Sequence, residues 1–364
     1  MNYIDEKTLK KANNEAIFNI YSYVADKGER PANGDLFSSI VLKLREDCNN
    51  NPSSWDGREI YQLKVLEAAV SNNSKVAGAV IGNQINSVNG LNACTFTCSN
   101  RDVSVVFRGT AGGEWIDNGK GLSGIPEENT YIIYGENGEV IEELTLQWNY
   151  ATNQQVEALN WFHKIASENS WSVDTNITIS GHSKGGNKAQ FVTIHSDLID
   201  ACYSFDGQGF SPEALDALEA KYRVKFEERR RKILSFATDN DYVNVLGEPL
   251  VPENQVYYFE SPIGDKNAIA YHHMEAMLDK NGKFNKQCEQ GQLSEYVQNI
   301  SRELMEVEPV YRQFATLGIM NLFQKYMGRG IPANDDRVST AETIVGVAVA
   351  IATLLANLHE TKKL

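Results

Sequence analysis

Between residues 176 and 196 the chain runs from a short apolar stretch, 176–180, through a glycine-flanked turn into apolar residues at helical spacing. The turn reads Gly181-His182-Ser183-Lys184-Gly185-Gly186, and the spacing is set by Ala189, Phe191, Val192 and Ile194. A strand that enters a helix this abruptly must lay the helix back over itself, which is the unit of a parallel sheet. The pattern recurs downstream. Residues 201–205, 232–237 and 255–259 read as strands, and Pro212–Tyr222 reads as a helix with proline in its first turn. Upstream, Val156, Leu159, Trp161, Phe162 and Ile165 mark a helix over 153–167. Apolar strands alternating with helices imply an α/β fold, a mainly parallel sheet with helices on both faces.

That alternation occupies residues 91–285. At its start, 92–98 and 103–107 are β-rich runs around a polar four-residue loop and read as a hairpin. A second hairpin is expected from 131–134 and 140–144 around Gly135-Glu136-Asn137-Gly138. Residues 1–90 read as a helical N-terminal region, with apolar spacing of three to four over 17–24, 36–44 and 60–70 and turn-rich breaks at 28–35 and 48–57. Residues 286–364 read as a helical C-terminal region. Its uncharged run, 343–358, falls short of the roughly 20 residues of a membrane span and reads as a buried helix, with membrane contact as the alternative.

Acids outnumber bases 48 to 34, a formal charge of −14, so the chain repels phosphate backbones and nucleic acid is not an expected partner. The five cysteines are odd in number and sparse, and no paired spacing completes a metal site. Cys94 and Cys98 fall on one side of a strand and read as small buried side chains. The charged start and reduced-looking cysteines favour the cytoplasm, with leaderless export or membrane association as alternatives. Residues 227–232 (EERRRK) read as a solvated helix end, and the sequons at Asn72, Asn176 and Asn299 as unused.

Gly181-His182-Ser183-Lys184-Gly185 is a G-x-S-x-G in the strand–turn–helix setting that a nucleophile elbow requires. Glycines two before and two after the serine let the backbones pass. Ser183 Oγ then projects at the carboxyl edge of the sheet, where the Lys184 amide can donate to an oxyanion. A phosphate-binding loop is excluded, because Asn187 stands where its lysine must be. A serine needs a base and an acid to orient it, in the order Ser, Asp, His for this architecture. Beyond the strand 232–237 lie Asp239 and Asp241, with Asp241 the choice; beyond 255–259 lie His272 and His273. Arg108-Gly109-Thr110, at the end of 103–107, can turn a second donor toward the elbow.

Phe107-Arg108-Gly109-Thr110 followed by Gly181-His182-Ser183-Lys184-Gly185-Gly186 resembles the class 3, fungal triacylglycerol-type lipase-like α/β hydrolases, and looks closest to a bacterial branch whose elbow reads GHSKGG. The resemblance spans about residues 90–285. It implies Thr110 and the Lys184 amide as oxyanion donors and Ser183 as nucleophile. The family's N-D-x-V segment matches Asn240-Asp241-Tyr242-Val243, which implies Asp241 as the acid, and the pattern around Met274 and Met277 implies His272 as the base. Trp115, Ile116 and the glycine-rich 119–124 fit a mobile cover over an apolar site, or a plain surface loop. The expected activity is hydrolysis of carboxylic esters, lipids among them, with no cofactor and no metal. The alternatives are an inactive hydrolase-fold binding module and a membrane-acting lipolytic effector that uses 343–358.

Overall fold

The fold was read from a computed structural model that describes residues 3–99, 101–110, 115–262 and 268–327. The uncharged run 343–358 lies outside the described residues. Three helices open the chain: α1 (Glu6–Val24), α2 (Phe37–Asn50) and α3 (Gly57–Asn72), with a single turn α4 (Ser74–Ala77) behind them. Asp5 caps α1 through the Thr8 amide, and Asp56 with Glu59 forms a reciprocal capping box on α3.

The central sheet has eight strands in the order β1-β2-β3-β6-β7-β8-β9-β10. β1 (Val80–Asn86), β2 (Asn92–Ser99) and β3 (Asp102–Phe107) form an antiparallel edge. β3 then pairs in parallel with β6 (Asn176–His182), followed by β7 (Ile199–Phe205), β8 (Ile233–Thr238) and β9 (Val256–Phe259); the two-residue β10 (Gln287–Cys288) closes the far edge antiparallel. The expected strands and hairpin are present, and the sheet is mainly parallel. β1 is an addition, because it lies inside a stretch that reads as helical.

Helices α6 (Asn153–Glu168), α7 (Lys184–His195), α8 (Pro212–Tyr222) and α9 (Val224–Arg230) link the parallel strands. Strand residues alternate faces. Val105, Phe107, Cys202 and Ile233 point into the core with α6–α9, whereas Phe96, Val106, Phe205 and Phe236 point into the core with α1–α3. The second core is aromatic: Phe18 stacks on Phe96 at 4.2 Å between centroids, and Phe236 and Phe259 both stack on Phe284.

The second hairpin, β4 (Glu127–Tyr134) with β5 (Val140–Asn149), is a separate two-stranded sheet tied to α6, where Asn160 takes the Ile132 amide and donates to the Thr130 carbonyl. The stretch read as a mobile cover or a plain surface loop forms helix α5 (Trp115–Ser123). Toward the C-terminus, α10 (Gln292–Met305) is followed by α11 (Pro309–Met327), which lies across α5. Arg312 of α11 is 1% exposed, pairs with Glu213 and donates to the Ser123 and Met305 carbonyls. In the charged stretch 227–232, Glu227, Glu228 and Arg231 are exposed as expected, but Arg229 is 5% exposed and reaches the Ile194 carbonyl and Asp197. Among the described residues no helix is long and apolar enough to cross a membrane.

Candidate active site

Ser183 sits between the end of β6 and the start of α7 with φ 59° and ψ −127°, a left-handed conformation that side chains rarely adopt. The surroundings enforce it. A Cβ on Gly181 would strike the Gly185 carbonyl, and one on Gly185 would strike the Phe107 carbonyl of the neighbouring strand. Only hydrogen fits at these two crossings, so the turn can be this tight and the serine is held at the sheet's carboxyl edge. Its amide bonds to the Phe205 carbonyl of β7 at 2.9 Å.

Ser183 Oγ lies 2.8 Å from His272 Nε2, and His272 Nδ1 lies 2.7 Å from Asp241 Oδ1. Asp241 is fully buried, and its other oxygen accepts the amides of Val243 (3.1 Å) and Asn244 (2.6 Å). A carboxylate with these partners is fixed in rotation, and it fixes the imidazole in turn. The histidine lies at the end of a 3₁₀ turn, 268–272, anchored where Thr238 Oγ1 donates to the Tyr271 carbonyl at 2.6 Å. The next turn is held by Glu275, 6% exposed, which binds Arg58 of α3 at 2.5 Å and Gln62 at 2.9 Å. The alternatives fall elsewhere. His273 Nδ1 faces Glu275 at 3.6 Å, and burial and nearby Arg58 push its pKa down to about 4. Asp239 accepts from the side chain of its neighbour Asn240 at 3.2 Å, and burial raises its pKa.

Behind this line lies a second one that sequence reasoning missed. The His182 ring lies 4.8 Å from that of His272. Its Nδ1 meets the Tyr23 hydroxyl of α1 at 2.5 Å, and its Nε2 faces Asp206 Oδ2 at 3.5 Å. Burial drives the His182 pKa well down, with His272 adding to the effect. Burial, and then the neighbouring Asp241, drive the Asp206 pKa well above the usual carboxylate range. His182, Asp206 and His272 form the group among the described residues whose metal-ligating atoms converge, within 4.8 Å. Both His272 nitrogens are already engaged, so an ion there would have to take the imidazole from Ser183 or from Asp241.

Gly109 lies against the elbow, where an added Cβ would stand 3.0 Å from Ser183 Cβ and 2.8 Å from the His182 carbonyl. Thr110 follows it, and its Oγ1 accepts from Asn118 Nδ2 of α5 at 2.9 Å. Lys184 is the first residue of α7, where a backbone N–H has no partner inside the helix. Its side chain is 1% exposed and pairs with Asp117 Oδ2 at 2.9 Å. Burial alone would raise the Asp117 pKa, but the Lys184 ammonium and hydrogen bonds hold it below the usual carboxylate range. Tyr23, Arg58, Glu275, Asp206 and the Lys184–Asp117 pair were not anticipated, because each is joined to the elbow only by the fold.

A recess of about 810 Å³ opens beneath β8–β9 and includes Asn244 and Arg302, but its lining contains neither Ser183 nor His272. The candidate site is therefore marked by hydrogen bonding rather than by cavity size. The five cysteines are free, and Cys98 and Cys288 are only half-buried.

Residues 125–306, half of the chain, match the model of a protein family described as Mbeg1-like. No curated protein matches the sequence. Among solved structures, the Lip2 lipase from Yarrowia lipolytica is 12% identical, with 87% of this chain and 95% of that one covered and a TM-score of 0.41. The native Rhizomucor miehei lipase–propeptide complex is 10% identical, with 78% and 83% covered and a TM-score of 0.38. Lipase II from Rhizopus niveus is 9% identical, with 78% and 98% covered and a TM-score of 0.40. At these scores the overlap is too loose to transfer chemistry, which must come from the chain's own geometry.

Proposed function

This chain belongs to the Mbeg1-like family, and from that premise and its own site we propose that it is a serine hydrolase of the lipase/esterase type, cleaving carboxylic esters. One observation carries the reading: Ser183 Oγ, on a strained turn, is hydrogen-bonded to an imidazole whose other nitrogen is held by a buried carboxylate.

Ser183 Oγ attacks the ester carbonyl while His272 Nε2 takes the hydroxyl proton. Asp241, acceptor to His272 Nδ1–H, selects the tautomer that leaves Nε2 free to accept and stabilises the imidazolium that forms. Negative charge on the former carbonyl oxygen is met by the amides of Lys184 and Thr110. His272 then returns the proton to the departing alkoxide, and the C–O bond breaks to leave an acyl-serine. A water attacks that ester with its proton going to His272, the acid departs, and Ser183 recovers its hydrogen. The site's own groups balance every proton, and no cofactor enters the sequence. Loss of one oxyanion donor is expected to cost about 3–4 kcal/mol of transition-state stabilisation.

The affinity of the GHSKGG elbow for one bacterial branch, and lipids as the ester class, belong to the same proposal and rest on the motif resemblance. Turnover of p-nitrophenyl esters of increasing acyl length tests it. The expected result is hydrolysis that Ser183→Ala abolishes. A folded chain inert toward short and long esters alike would mark an inactive binding module.

A further inference from the structure

We propose that the buried Lys184–Asp117 ion pair is a positioning device that clamps α5 to the nucleophile turn and so holds the oxyanion donors in place; this rests on the ester-hydrolase reading above. Lysine is a poor choice at the first position of a helix, where the dipole already presents positive charge, and a buried ammonium is costly without a partner. Lys184 is nevertheless 1% exposed. An apolar side chain would fill the same space at lower desolvation cost. What the lysine adds is direction, because its N–H donors reach both Asp117 Oδ2 at 2.9 Å and the Asp117 carbonyl at 3.4 Å.

Asp117 is in turn fixed by Thr152 Oγ1 at 2.8 Å and the Gln154 amide at 3.4 Å, both at the start of α6. The next residue of α5, Asn118, donates to Thr110 Oγ1, and Gln208 Nε2 holds the Asn118 carbonyl at 3.0 Å. The helix lies directly on the ammonium: an added Cβ at Gly121 would stand 3.3 Å from Lys184 Nζ. Consecutive residues of one short helix thus grip both backbone segments assigned to the oxyanion, residue 184 through its side chain and residue 110 through its hydroxyl. Breaking the pair loosens both donors while the Ser183–His272–Asp241 line remains.

The test uses the full chain, a p-nitrophenyl ester as substrate and a p-nitrophenyl alkylphosphonate as the tetrahedral probe. In Asp117→Asn and Lys184→Met, kcat is expected to fall about 10- to 100-fold with KM within about threefold of wild type, and phosphonylation to slow in parallel. The double replacement Lys184→Met with Asp117→Leu removes the charge imbalance, so its thermal midpoint should recover while kcat stays low. The proposal is overturned if folded Asp117→Asn keeps wild-type kcat, or if the double variant regains kcat together with its midpoint. Wild type inert to both reagents is a different result, which removes the hydrolase reading itself.

Discussion

Glu15 supplies the sharpest stability prediction. It lies on the inner face of α1, 5% exposed, with Oε1 accepting from Ser104 Oγ of β3 at 2.6 Å and Oε2 from Ser180 Oγ of β6 at 2.9 Å. Burial pushes its pKa from 4.5 to about 7, and the two serines and distant Lys75 offset this only in part. Because the folded-state pKa lies above the unfolded one, the folded chain keeps a proton that the unfolded chain has already released across this window. Stability therefore falls as pH rises from about 4.5 to about 7 and is level above that. At about 1.4 kcal/mol per pH unit, the loss is about 3 kcal/mol. Glu15→Gln keeps the shape and cannot ionise, so it should remove that slope. Urea unfolding of both chains between about pH 4.5 and 8 isolates the effect, since every other titrating group is common to the two. The stability of the variant relative to wild type is expected to climb by about 3 kcal/mol across the range. A difference that does not vary with pH would refute the assignment of a buried, proton-retaining acid under α1.

Gly181→Ala places a Cβ against the Gly185 backbone, which cannot swing aside; a loss of more than about 3 kcal/mol is expected, read as a lowered thermal midpoint, and a wild-type midpoint would contradict the tight turn. Glu275 has its pKa held down by Arg58 and by hydrogen bonds from Arg58 and Gln62, although burial opposes them. A depressed carboxylate stabilises the fold above its unfolded value and loses that contribution as pH falls through the folded one, so wild type should soften in acid and Glu275→Gln should soften less. At neutral pH the same variant leaves Arg58 without its partner; with Arg58 36% exposed the cost is discounted to about 1–2 kcal/mol, and kcat should fall as the turn that carries His272 loosens.

The elements of the candidate site were legible because their signals are local. Gly181 and Gly185 flank Ser183 in sequence as they do in space, and Asp241 and His272 each follow a strand whose apolar run announces it. Between Asp241 and Asp239, or His272 and His273, local pattern decides little. What separates them in the structure is the Val243 and Asn244 amides on Asp241, and Glu275 and Arg58 beside His273. β1 was hidden for a related reason. Val80–Asn86 has a glycine and two asparagines, and becomes a strand only by pairing with β2, where Gly82 leaves room for the Thr95 side chain. Arg229 reads as part of a solvated helix end, yet fold topology brings the Ile194 carbonyl and Asp197 around it, as it brings the Ser123 carbonyl and Glu213 around Arg312. Charge in a sequence carries no record of a partner 32 or 99 residues away.

We propose that His272, and not its neighbour His273, activates Ser183. Labelling with a fluorophosphonate, read by mass spectrometry of the adducted peptide, tests it directly. We expect one adduct, on Ser183, absent in Ser183→Ala, slowed about a thousandfold or more in His272→Ala and near wild type in folded His273→Ala. Labelling that survives His272→Ala but vanishes with His273→Ala, or an adduct on any other residue, would contradict it.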